Sequence, residues 1–521
     1  MSLVLALLAI SPIVVIFLAL VVFRRPADIT GLIGWVFTAL LAWLAFHTGW
    51  PVILRASLSG AVASLPIALV VATSILQMTL MQKTGALGRL VVTLKTVAPG
   101  DQITQILIIN VGIGTLLTAL GAVPISILPP IMVALGYSVQ AAILLPAIGY
   151  DSLCTYALLG IPVVIFAQFT NQSPEAVGHY FARFMPVITT LIALAMLWIV
   201  GRWRMVGRGL IPAIITGLVA GAVAIGMNAA GLVTLTGVAA GAAVAVVMAL
   251  YLVLRRRPVF DRSGLRPEDA KVESGMSLAR ALSPWIILIV LSLVTNEPWL
   301  GIKRALFDRL AMPVGIIPGQ PEKMRVFWQA YWWILVSCLL SLPFLRASGR
   351  QLKETAVTWL KRAPRPVLSS VVFFAIAYLF NHSGKTGALG ADGRWLLPDP
   401  GLNMVALTAN AAAGLFGQLY VLVAPYLGLL AGFVSGTESS AIAMLTRLHL
   451  TAAEKIGASG MIVAAASAIG GGIASVISPF KLQNAAAAID RIGMETEVIK
   501  TVVVIALIIV LAVAGLAFIW A

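Results

Sequence analysis

The chain has 521 residues, 60% of them hydrophobic and only 10% charged, with a formal charge of +16. A soluble domain carries about 25% charged residues, so water is excluded as the main solvent and a polytopic membrane protein is expected. The basic excess does not indicate nucleic acid, because it falls in short clusters between apolar runs: Arg24-Arg25, Arg202/Arg204/Arg208, Arg255-Arg256-Arg257, Arg346/Arg350/Lys353 and Lys361-Arg362. That spacing is what the positive-inside rule produces.

The first apolar run, 3–23, is followed rather than preceded by positive charge. It therefore reads as a retained span with its N-terminus outside, and not as a cleaved signal. Runs at 30–49 and 58–82 follow, then an amphipathic connector with Arg89 and Lys95. Further spans are expected at 184–201, 210–227, 231–254, 283–295, 327–345, 367–381, 403–417, 419–434 and 498–520. With two irregular regions added, the fold class is an all-α polytopic membrane protein of roughly 12–14 segments. Alternating crossings bring every basic cluster to the cytoplasmic side of the cell membrane. Residues 255–282 read as a cytoplasmic linker, between a first half at 1–254 and a second at 283–521. Residues 296–326, with Pro313, Pro318 and Pro321, read as an external loop.

Two regions are too broken to be plain spans. Residues 103–168 contain Gly121, Pro124, Pro129-Pro130, Gly136, Pro146 and Gly160/Pro162, with a hairpin placed at about 115–168. Residues 432–480 repeat the order: a Gly/Ser/Thr break near Gly436, a short helix, a polar turn, an apolar segment and a Ser478-Pro479 break. Proline removes a helix hydrogen bond, and in lipid the freed groups need neighbours or a wet cavity. Interrupted segments in corresponding positions of two halves mark a transporter's binding site, so two inverted-repeat halves are expected, each with a re-entrant or broken-helix hairpin. A half-helix starting in mid-membrane offers free N–H groups and a positive dipole end to an anion. Gly121, Pro124, Ser126, Gly436, Thr437, Ser439, Ser440 and Ser478 are the substrate-binding candidates, on the expectation that the two starts face each other.

Only two carboxylates, Asp151 and Glu438, lie deep in these regions. A charge at the bilayer centre costs about 2.5–3.5 kcal/mol on insertion scales, so both are candidate proton-coupling groups. Lys481, after the second break, is a candidate counter-charge for an anion. Arg447 and His449 are placed in the polar turn at the hairpin tip, and neither hairpin core is expected to contain a histidine. Trp50, Trp198, Trp203 and Trp285 are assigned to an interfacial aromatic belt. The run "YLFNHSGKTGALG" (378–390) reads as a polar helix end at an interface. Cys154 and Cys338 sit in apolar runs without metal-ligand spacing, so neither a disulfide nor a metal site is expected. No Walker loop or dinucleotide fingerprint occurs, and the chain is not expected to be an enzyme or to need a cofactor.

Several stretches are similar, in order, to the lactate permease family of secondary ion transporters. "PPIMVALGYSVQAAILL…LLGIPVVIFAQFT" resembles the family's first-half segment, including the Gln168 that follows its "GIP". "YLFNHSG" resembles "NYSG", "SGTESSAIAM" resembles "GSNTSSNAM", and "VISPFKLQNAAAA" resembles "MISPQNIAIA". Ungapped, Glu438 stands where the family has Asn, and Leu116 stands where it has Glu. The resemblance implies uptake of a small 2-hydroxy monocarboxylate, such as lactate or glycolate, by proton symport. A dicarboxylate or sulfonate cargo and Na+ coupling are alternatives on the same scaffold, and an ion channel is the rival class. The expected partners are a small organic anion, a coupling proton or Na+, membrane lipid and, as an open possibility, a second copy in a homodimer, but no nucleic acid.

Overall fold

The computed structural model describes all residues except 1, 2, 22, 24, 25, 297–300, 436, 479, 480, 483, 484, 487, 490, 492 and 493. The Arg24-Arg25 pair thus lies outside the described residues. Among those described, eight helices are long and apolar enough to cross a membrane, and five shorter apolar helices accompany them.

The first half begins with α1 (Leu3–Val21), α2 (Ala27–Leu44), α3 (Trp50–Lys83) and α4 (Ala86–Lys95). Then comes α5 (Gln102–Ala119), opened by Asp101, whose side chain accepts from the Thr104 N–H. Its middle, Leu107–Ile113, is a π-helical stretch. The first interrupted region follows as α6 (Pro124–Ala134), α7 (Val139–Tyr150) and α8 (Ala157–Thr170). Each start has a local cause. Pro124 occupies the first turn of α6, where its missing N–H costs nothing, and Ser138 caps α7 by accepting from Ala141 N. A short α9 (Pro174–Ala182) leads to α10 (Met185–Ala229), which breaks at Gly201–Arg202, and then to α11 (Thr236–Leu254). The break in α10 separates the two spans expected at 184–201 and 210–227.

The linker is partly helical, with α12 at Pro267–Gly275, and α13 (Ser283–Asn296) opens the second half. The expected external loop instead contains an antiparallel hairpin, β1 (Met312–Ile317) and β2 (Gln320–Met324). Its register pairs Met312 with Met324, Pro313 with Lys323 and Val314 with Glu322. Both strands are edges, so prolines without a donor N–H are tolerated there. After it come α14 (Ala330–Leu345), α15 (Gly349–Arg362), α16 (Pro364–His382), α17 (Met404–Phe416) and α18 (Tyr420–Ser435). The second interrupted region is α19 (Glu438–Lys455) and α20 (Gly460–Ile473), and α21 (Glu495–Trp520) is the last helix described.

The basic connectors gather at one end. Arg89 meets Glu273 at 3.1 Å, Lys95 meets Asp269 at 2.8 Å, and Arg257 meets Asp101 at 3.1 Å. Gln351 donates to the Lys83 carbonyl, and Arg280 to the Phe344 and Leu345 carbonyls. The largest apolar cluster draws on helices of both halves. Trp50 and Trp203 are exposed, as an aromatic belt requires, but Trp285 is buried within the core. Its neighbours are helices of the bundle rather than an interface.

Candidate functional site

The first region is interrupted more heavily than its prolines foretell. After α7 the chain passes through a 3-10 turn, Asp151–Tyr156, in which Leu153 has non-helical geometry (φ −137°, ψ 43°). Leu158, Leu159 and Gly160 then follow with φ of +52°, +57° and +74°. Left-handed geometry costs a non-glycine residue roughly 1–2 kcal/mol, and such strain gathers at functional positions. The break expected at Ile161-Pro162 is therefore centred earlier, on residues 151–160.

In the second region, Thr437 ends the interruption and starts α19. Its hydroxyl accepts from the Ser440 N–H at 3.2 Å and donates to the Ser440 hydroxyl at 2.8 Å. Glu438 is the first residue of α19, where a carboxylate suits the helix dipole. It is buried, at 3% exposure. Ser439 and Ser440 are buried beside it, and Thr437 is exposed.

These two breaks meet. Thr155 donates its hydroxyl proton to Glu438 Oε1 at 2.7 Å. Glu438 Oε2 has no hydrogen-bonding N or O partner among the described residues, and the Cys154 thiol lies beside the carboxyl. Asp151, also buried, accepts from the Val476 N–H at 3.2 Å through Oδ2, while its Oδ1 has no such partner among the described residues. Lys481 places its Nζ 4.2 Å from the centre of the Tyr150 ring and lies within electrostatic range of both carboxyls. Ser478 is buried, and its carbonyl accepts from the Lys481 and Leu482 N–H groups. Two buried carboxyls and one ammonium thus converge where both halves of the chain lose their helical hydrogen bonds. Such a place can hold a proton, a small anion, or both.

Several expected positions fall elsewhere. The start of α19 was expected to face Gly121–Ser126, and the partner it meets is Thr155. Gly121 (φ +86°) lies against Ser74, where a β-carbon would sit 2.5 Å from the hydroxyl oxygen and 3.4 Å from Leu158. Pro124 is buried at the start of α6. Gly436 and the side chain of Ser126 lie outside the described residues. Arg447 and His449 are not in the tip, because α19 runs through them and turns only after Lys455. His449 is fully buried inside the second hairpin, with Nδ1 2.7 Å from the Tyr420 hydroxyl. "NHSG" is likewise more than a helix end: His382 is buried, and Lys385 Nζ is 2.8 Å from its Nδ1. Thr155 and Cys154 carried no sequence signal beyond lying between Gly149 and Gly160.

The model of the family described as L-lactate permease matches residues 5–521. The chain belongs to that family. The L-lactate permease of Salmonella typhi is 24% identical over 470 residues, covering 84% of this chain and 81% of the relative. The glycolate permease GlcA of Escherichia coli (strain K12) is 25% identical over 545 residues, covering 95% and 92%. The solved structure of MtrF from Neisseria gonorrhoeae covers 90% of this chain and 84% of its own at 13% identity, with a TM-score of 0.43. L-lactate permease family membership makes this chain a multi-pass permease of the cell membrane, not an enzyme.

Proposed function

We propose that this permease takes up a small 2-hydroxy monocarboxylate, lactate or glycolate, together with a proton. Its two halves would be inverted repeats whose broken helices meet at the transport site. The relatives named for lactate and glycolate support that cargo. The observation that carries the mechanism is the Thr155–Glu438 hydrogen bond, because it joins the breaks of the two halves through a buried carboxyl. One oxygen of that carboxyl is held and the other has no N–H or O–H donor among the described residues, so Oε2 is the natural seat of a transferable proton. The charge count agrees. Asp151 and Glu438 set two negative charges against Lys481, and a substrate anion would add a third. A proton on Glu438 leaves Asp151 and Lys481 to balance each other before the anion binds. The carboxylate of the cargo would then meet Lys481 and the exposed start of α19 at Thr437.

Uptake by purified protein in liposomes tests this reading. Lactate or glycolate accumulation driven by an inward proton gradient, and insensitive to replacing Na+, is expected. Glu438→Gln should lose that accumulation while retaining exchange of labelled for unlabelled substrate. Accumulation that follows Na+ instead, or a Glu438→Gln variant that still concentrates substrate, would overturn it.

A further inference from the structure

One more carboxylate enters the helix bundle, and the central site does not use it. Glu322 lies on β2 of the outer hairpin, opposite Val314. Its side chain accepts three hydrogen bonds from three helices. Tyr378 of α16 donates at 2.6 Å and Ser59 of α3 at 3.3 Å, both to Oε1, and Gln168 of α8 donates at 3.2 Å to Oε2. Arg447 of α19 is within electrostatic range of Tyr378 and of His382. It is exposed, although Thr446 and Leu448 beside it are buried; its carbonyl accepts from the Thr451 hydroxyl, and its guanidinium makes no hydrogen bond or ion pair among the described residues.

Donors converge here on a carboxylate that is not part of their own helices. Hydrogen bonds to an ionised carboxylate are the strong ones, and a guanidinium suits the same group. The hairpin that supplies Glu322 is a two-stranded ribbon, which is marginal alone. Ile317, packed with Val52 and Trp395, fixes its β1 end to the bundle, so Glu322 can leave while the ribbon stays attached.

We propose that Ser59, Gln168, Tyr378 and Arg447 form an outer carboxylate-binding subsite, occupied here by Glu322 and taken over by an incoming organic monocarboxylate. It rests on the reading of this chain as a monocarboxylate carrier. Glu322 is then an intramolecular competitor. A subsite filled nine-tenths of the time by its own side chain would raise the apparent dissociation constant roughly tenfold.

Uptake kinetics and a spin label test this together. Glu322→Ala should lower the KM for lactate or glycolate by up to about tenfold, and Arg447→Gln in that background should raise it again. Lys323→Cys offers an exposed thiol, since Cys154 and Cys338 are buried. A label there should gain mobility when lactate or glycolate is added, gain it equally in the Glu322→Ala variant, and respond no further to the acids in that variant. An unchanged KM overturns the subsite, and so does a label freed by Glu322→Ala but not by either acid, which would make Glu322 a plain structural tie. If the unaltered protein moves neither acid, the transport reading fails on its own, and release of the label by the acids still decides for or against the subsite.

Discussion

Gly472 and Glu438 stand so close that a β-carbon on Gly472 would lie 2.6 Å from Oε2 and 3.1 Å from Cδ of the carboxyl. No side chain larger than hydrogen fits there while Thr155 holds the other oxygen. Gly472→Ala should therefore displace the carboxyl, at an overpacking cost of about 1–3 kcal/mol. Uptake should fall at least as far as in Glu438→Gln, with a lowered melting temperature. Uptake at the unaltered rate would show that the carboxyl can move freely.

Thr155→Val keeps the shape and removes the donor. A buried acceptor left unsatisfied costs about 1–3 kcal/mol, and that cost falls on the charged form of Glu438. The pH profile of uptake should shift, whereas Thr155→Ser should restore it. A profile identical in all three proteins would separate Thr155 from coupling.

Lys481→Gln should weaken substrate binding at the central site, and Lys481→Arg should recover part of it. Removing the ammonium leaves two carboxyls with no opposing charge acting on them among the described residues, so an added anion meets repulsion. The check is the KM for lactate or glycolate, which should rise in Lys481→Gln more than the maximal rate falls.

At the end of the bundle where the basic connectors gather, the hydrogen bond from Lys95 holds Asp269 below the ordinary carboxylate range. A depressed folded value means that the pair contributes above the unfolded value, near pH 4, and that the contribution fades as pH falls through the folded one. Such pairs are each worth about 0.2–1 kcal/mol. Limited proteolysis of residues 255–282 should quicken in acid, and Asp269→Asn should show that faster cleavage already at neutral pH with little change in overall stability.

The parts of this fold that local chemistry decides were readable in advance. Apolar runs, basic clusters and the proline and glycine punctuation located the spans and both interrupted regions, and Glu438 stood out because a carboxylate in such surroundings is costly. Partnership was not readable. Glu438 and Thr155 are 283 positions apart, and nothing in a hydroxyl within an apolar run says which break it will face. Arg447 and His449 looked like a turn because polar residues usually mark one, yet α19 carries them onward, with Tyr420 taking up the imidazole. The β-hairpin was hidden by its own prolines, which argue against strands unless both strands are edges.

A short piece of chain, α8 with the unwound stretch before it, carries Thr155 at one end and Gln168 at the other. The helical part between the left-handed turn and Gln168 is about 12 Å long at 1.5 Å per residue. That is a ruler longer than a two- or three-carbon acid. On the proposed reading, a cargo that short would leave Glu322's present seat before it reached Glu438, so its passage would be a relay in which the first grip opens before the second closes.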